Sequence, residues 1–153
     1  MLIGVIGYGV VGRATAEVLR RLGHTVRIRD TNTVAMEAAQ SEGYGCLRQE
    51  TEVDVLFLCV PEGNLGQALA SIPNGAVTVI RSTVVPGTTE DLAEELSRPL
   101  VYMPEFLREA TALWDALNPA FILIGCQDQE QGETLRQLFA PLMAPIVLVP
   151  PST

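Results

Sequence analysis

Apolar residues recur in short blocks, separated by polar stretches whose remaining apolar positions follow a helical period. Residues 2–6, four apolar side chains around Gly4, predict a buried strand. Val10, Val11, Ala14, Val18, Leu19 and Leu22 then repeat at helical spacing. Apolar runs at 25–28, 53–60, 76–80, 100–103, 121–125 and 146–149 predict six further strands, and 33–41, 65–72 and 129–142 predict helices. Gly23-His24 turns into the second strand, Gly43 and Gly45 end the helix before them, Pro61 stops the third strand, and Pro73-Asn74-Gly75 leads to the fourth. Thr88 or Thr89 is expected to cap a helix that carries Glu90, Asp91, Glu94 and Glu95 near its beginning. Strand alternating with helix predicts an α/β fold, a doubly wound and mainly parallel sheet with helices on both faces.

The first turn makes that prediction chemical. Gly7-Tyr8-Gly9-Val10-Val11-Gly12 stands between the first strand and the first helix in a G-x-G-x-x-G pattern. Gly7 suits a tight turn, Gly9 a pyrophosphate close to the backbone, and Gly12 close packing of helix on strand. The helix N-terminus offers N–H groups and partial positive charge to phosphates. A Rossmann-like dinucleotide site is therefore expected, against the plainer reading of a glycine turn in any α/β protein. Asp30, which closes the second strand, suits a carboxylate bonded to the adenosine ribose diol. It would repel the 2′-phosphate of NADP, so NAD is the expected cofactor; the plainer reading is an exposed turn aspartate.

Composition narrows the partners. The 153 residues make one domain, 48% apolar, with a mean hydropathy of +0.27. That richness suits a sheet covered on both faces, and equally a face left exposed for association, of which a homodimer is the simplest form. A formal charge of −8 argues against nucleic acid and anionic membranes as partners. All ten basic residues are arginine, so the chain holds no lysine for acid–base or Schiff-base chemistry. Cys46, Cys59 and Cys126 show neither CxxC nor metal-ligand spacing, so no metal and a reducing, cytoplasmic setting are expected. Cys59, inside the 53–60 run, reads as an inert buried thiol, and His24 as a turn residue. No run reaches transmembrane length, and a chain opening on its first strand leaves no room for a signal peptide.

In such a sheet the ligand lies beyond the carboxyl ends of the strands. Residues 7–12, Asp30, 61–64, 82–88 and 104–109 all follow strand ends, so the candidate residues share one edge. Two of these segments carry a family likeness. Arg81-Ser82-Thr83-Val84-Val85-Pro86-Gly87-Thr88 resembles the S-T-V-x-P-G-T loop of the UDP-glucose/GDP-mannose dehydrogenase family. Pro104-Glu105-Phe106-Leu107-Arg108-Glu109, with Asp115-Ala116-Leu117-Asn118-Pro119 and Ile122-Leu123-Ile124-Gly125, resembles its N-P-E-F-L-x-E-G…D-x-x-N-P-x-x-x-x-I-G signature. With the glycine loop and Asp30, the likeness covers nearly the whole chain in order.

The resemblance implies oxidation of the C6 hydroxymethyl of a UDP- or GDP-sugar to a carboxylate with two NAD. A first hydride transfer gives an aldehyde captured by a cysteine; a second makes a thioester, which water hydrolyses. It implies that Thr83 and Glu105 are catalytic, positioning a water or proton relay, and that Glu109 lies near the nicotinamide. Cofactor contacts are expected from Gly7, Tyr8, Gly9, Val10, Val11, Gly12, Asp30, Val60, Pro61, Ser82, Thr83 and Glu109. The chain departs from the pattern at Met103, where asparagine is usual, and in short connections between Asp30 and Val53 and between Val60 and Ala76. No basic residue follows Asp30 within the next turn. Residues 1–149 are expected to form the NAD-binding domain and 150–153 the start of a linker. The family's cysteine, lysine and asparagine, and most nucleotide-sugar contacts, would then belong to further domains. Two alternatives stay open: a stand-alone NAD-binding sensor or scaffold without turnover, and a β-hydroxyacid dehydrogenase-type NAD domain.

Overall fold

Successive residues of a strand point to opposite faces, and the apolar blocks sort themselves accordingly. Val55 and Phe57 join one core with Ile3, Val5, Val79 and Val101. Leu56 and Leu58 join a second with Ile6 and Ile80. Runs apolar at every position are what a sheet covered on both sides requires.

The computed structural model describes residues 1–72 and 75–151; the expected Pro73-Asn74 turn and the Ser152-Thr153 tail lie outside them. In chain order the elements are β1 (Leu2–Ile6), α1 (Val10–Arg21), β2 (Thr25–Arg29), α2 (Thr33–Ser41), β3 (Gly45–Cys46), β4 (Val55–Leu58) and α3 (Leu65–Ala70). Then come β5 (Val77–Ile80), α4 (Thr88–Glu95), β6 (Val101–Tyr102), α5 (Ala112–Leu117), β7 (Ile122–Gly125), α6 (Gln129–Phe139) and β8 (Ile146–Val149). The sheet order is β3-β2-β1-β4-β5-β6-β7-β8. Strands β1 to β6 run parallel; β7 is antiparallel to β6, and β8 is parallel to β7. One face is covered by α1, whose Val18 and Leu19 join the first core together with α6 residues Leu135, Leu138 and Phe139. Leu65 and Leu69 of α3, with Leu92 of α4 and Leu96 just beyond it, cover the other face. The expected Rossmann-like, doubly wound sheet is therefore present.

Three local expectations need correction, and one helix carries no sequence signal. Gly45 does not end the helix, which stops at Ser41: with Cys46 it forms the edge strand β3, pairing Arg27 with Gly45 and Ile28 with Cys46. A two-residue strand has no period to read, and only the neighbouring β2 creates it. The cap of α4 is Gly87, at φ 93°, and not Thr88 or Thr89; Thr88 Oγ1 instead donates to Glu62 Oε1 at 2.9 Å. The helix expected over 129–142 is α6 followed by a 3-10 turn, Ala140–Leu142, because Pro141 has no N–H to continue the α-helical ladder. The short helix α5, which no period announces, packs on α1.

The glycine turn is sterically closed. A Cβ on Gly12 would lie 1.8 Å from the Gly7 carbonyl oxygen, and one on Gly7, at φ 96°, would lie 2.4 Å from that of Cys59. Both obstacles are backbone, so neither can move without parting β1, α1 and β4. Gly12→Ala is expected to destabilise the protein by about 3 kcal/mol or more, read as a lower urea midpoint; an unchanged midpoint would contradict this packing.

Candidate functional site

Because β1 to β6 are parallel, the segments after them emerge along one edge, and the cofactor-side residues gather there. Gly9 caps α1 without a side chain to block its first-turn N–H groups, and a Cβ at Gly9 would meet nothing within 4 Å. This is the open cradle that a phosphate needs at a helix N-terminus. Val10 is exposed and Val11 partly so on that first turn. Asp30 follows β2, beside β1, and its Oδ2 accepts from Tyr8 N at 2.7 Å while Oδ1 accepts from Asn32 N at 2.8 Å. The aspartate thus ties the glycine loop to the end of β2 and keeps lone pairs for a ribose diol. Tyr8 takes part through its backbone. Its side chain is buried, and its hydroxyl donates to Glu42, which also pairs with Arg13. Burial and Glu42 push the phenol well above its ordinary range.

The next two strand ends are stitched together. Val60 and Pro61 follow β4; buried Ser82 follows β5 and donates its hydroxyl to the Val60 carbonyl. Glu62 Oε1 accepts from Val85 N at 3.0 Å and from Thr88 Oγ1. Sequence reasoning passed over Glu62, Glu42 and Arg13, whose partners lie 23 to 34 residues away. Thr83 is exposed on the β5 loop.

After β6 the chain passes over a cavity of about 340 Å³, walled by residues of α1, α5, the 104–109 segment, Arg81 and Met103. Glu105 lines this cavity and its Oε2 accepts from Leu107 N at 2.7 Å. Thr83 is not among the lining residues, so the two expected catalytic residues occupy neighbouring strand ends without sharing the cavity. Glu109 lies further along, in a groove with Val10 and Arg13 of α1. Arg108 and Asp115 pair at 2.7 Å, and this cation holds the Asp115 carboxyl well below the usual carboxylate range.

The cysteines are placed away from this chemistry. Cys59, expected to be buried in its strand, lies just beyond β4 beneath the glycine turn and is only half-buried; desolvation still pushes its thiol up to about 11, opposed in part by the Arg81 charge. Cys126 follows β7, which runs antiparallel to β6 and so carries the chain away from the cofactor edge. Cys46 is exposed on β3, four strand positions from β5, roughly 19 Å at the usual strand spacing. Among the described residues no group of three potential ligands could hold a metal ion, and no helix is long and apolar enough to cross a membrane.

A parallel sheet with this glycine turn and an acidic residue at the end of β2 defines a dinucleotide-binding domain of the dehydrogenase class. The family model "UDP-glucose/GDP-mannose dehydrogenase family, NAD binding domain" matches residues 46–143. A second, "NADP oxidoreductase coenzyme F420-dependent", matches residues 2–86, which include the glycine loop. A UDP-glucose 6-dehydrogenase of Bacillus subtilis is 31% identical over 192 aligned positions, covering 95% of this chain and 44% of the relative. A GDP-mannose 6-dehydrogenase of Pseudomonas putida is 29% identical, covering 98% of this chain and 46% of the relative. The solved UDP-glucose dehydrogenase of Pyrobaculum islandicum superposes with a TM-score of 0.83 at 26% identity, over 99% of this chain and 46% of that one. The chain belongs to the UDP-glucose/GDP-mannose dehydrogenase family and corresponds to its NAD-binding domain. It spans about half the length of the curated relatives it matches. The Bacillus alignment is also longer than the 153 residues here, so the relative carries residues without a counterpart in this chain.

Proposed function

We propose that this chain is the NAD-binding part of an oxidoreductase that converts the C6 hydroxymethyl of a UDP- or GDP-sugar to a carboxylate. The observation that carries this reading is the family match, joined to an open glycine cradle with Asp30 beside it. The residues fit the cofactor: the α1 N-terminus takes the pyrophosphate, and the Asp30 carboxylate takes the adenosine ribose. Val60, Pro61, Ser82, Thr83 and Glu109 flank the remaining path along the strand ends. Bound NAD supplies the hydride acceptor. Thr83 and Glu105 hold a water or pass a proton at the ends of β5 and β6, and most contacts to the nucleotide sugar come from outside residues 1–149. The exposed Val147 and Leu148 of edge strand β8 favour self-association, which a strictly monomeric sedimentation profile at high concentration would contradict.

The cofactor assignment is tested by calorimetric titration of the protein with NAD and NADP. NAD is expected to bind at least about tenfold more tightly; equal affinity, or an NADP preference, would remove the role given to Asp30. Gly9→Val should leave the melting temperature nearly unchanged, since the site is empty around it and its φ of −85° suits any residue. The same substitution should abolish NAD binding.

The placement of the cysteines favours a second reading for the chain by itself, an NAD-binding module without turnover. Thioester chemistry needs an accessible thiolate, whereas the half-buried Cys59 thiol is raised to about 11. The chain is expected to bind NAD yet form no NADH with UDP-glucose or GDP-mannose, followed by the absorbance of the reduced nicotinamide. Measurable NADH would overturn that division of labour.

A further inference from the structure

The cavity behind residues 104–109 contains a cation for which the chemistry above has no use. Arg81 directly follows β5 and points, like Val79, to the face covered by α1, α5 and α6, where it lines the cavity with Thr15 and Val18. It is only 9% exposed, and its Nε is buried without a partner. Among the described residues its side chain makes no hydrogen bond and no ion pair within 4 Å, and the Glu105 charge offsets its burial only at longer range. A guanidinium offers five donors and stays charged, so burying it unpaired opposes folding. A methionine or leucine would fill the position without that burden. Thr15, 3% exposed, lines the same cavity, and its buried hydroxyl faces the Cys59 thiol rather than another oxygen or nitrogen.

The other charges on the cavity are held by closer partners. Glu105 is turned onto its own loop by the bond from Leu107 N, and Arg108 and Asp115 neutralise each other. The rest of the wall is largely apolar. Phe106 and Phe121 stand with ring centroids 5.2 Å apart, and Phe139 and Leu142 of the opposite wall face the same space. A volume of about 340 Å³ falls in the range of small-molecule sites.

We propose that this cavity binds a small carboxylate with an apolar body, its carboxylate held by Arg81 and Thr15. One planar guanidinium matches one carboxylate in a two-point contact. A doubly charged phosphate would meet the Glu105 charge and a chain of net charge −8 with twice the repulsion felt by a singly charged carboxylate. A polar sugar acid would leave the aromatic wall without a partner. The site needs no NAD and stands independently of the dehydrogenase reading.

The test is titration of the protein with benzoate, benzyl alcohol, glucuronate and inorganic phosphate, with and without NAD. Heat and the Arg81 Nε–H signal in nitrogen-15 NMR are the readouts. Saturable benzoate binding that moves the Arg81 signal is expected, with the other three probes at least about tenfold weaker. Arg81→Met should weaken benzoate about tenfold or more while keeping or raising the melting temperature, because it removes an unpaired buried charge. Thr15→Val should weaken benzoate with the fold retained. Absence of a benzoate-dependent shift, tighter binding of glucuronate or phosphate, or binding that survives Arg81→Met overturns the proposal. So does loss of folding in Arg81→Met, which would mark a structural cation. Failure of NAD to bind while benzoate still does leaves this site standing and removes only the cofactor assignment.

Discussion

The whole cofactor edge depends on one close approach, that of α1 to the turn after β1. Gly12 lies so near the Gly7 carbonyl, and Gly7 so near the Cys59 carbonyl, that no side chain fits at either place. This contact presses the helix start against the ends of two adjacent central strands. Everything the helix N-terminus can offer a phosphate follows from its being held there. The same contact crowds the half-buried Cys59, whose thiol is pushed up to about 11 by desolvation.

Around that contact, the loops are held by polar links between neighbouring strand ends. Asp30 fastens the glycine loop to β2, Ser82 fastens the β5 loop to β4, and Glu62, just after Pro61, bridges to Val85 and to Thr88 at the start of α4. Most of these links serve a backbone group left over where a strand stops, which is where the ladder no longer satisfies it. The edge is therefore ordered by the chain's own residues, and the glycine cradle keeps its space for a ligand.

The reversal at β7 separates two kinds of residue. Segments after β1 to β6 converge on one edge, whereas β7 runs back from it, with Gly125 paired to Tyr102 at the end of β6. It also opens the cavity beneath 104–109, since the chain crosses from β6 to β7 through a short helix rather than a full crossover unit. Arg81 and Met103, on adjacent strand ends, both line it, and Met103 N donates to the Ile80 carbonyl at 2.9 Å to hold those ends together.

The sequence by itself determined the strands of four or more apolar residues, the parallel α/β architecture, the glycine turn and Asp30. In these the information is local: an unbroken apolar run, a period, or a glycine with no alternative at its place. Tertiary structure alone decided the two-residue strand β3, the Gly87 cap, the hydroxyl partners of Tyr8 and Ser82, and the isolation of Arg81. Each of these depends on a group distant in the chain or, for Gly87, on Glu62 drawing Thr88 away from the cap position. Arg81 shows the difference most plainly. Its place in the motif was legible, but whether a guanidinium there is paired or orphaned depends on what β4, β6 and α1 bring against it.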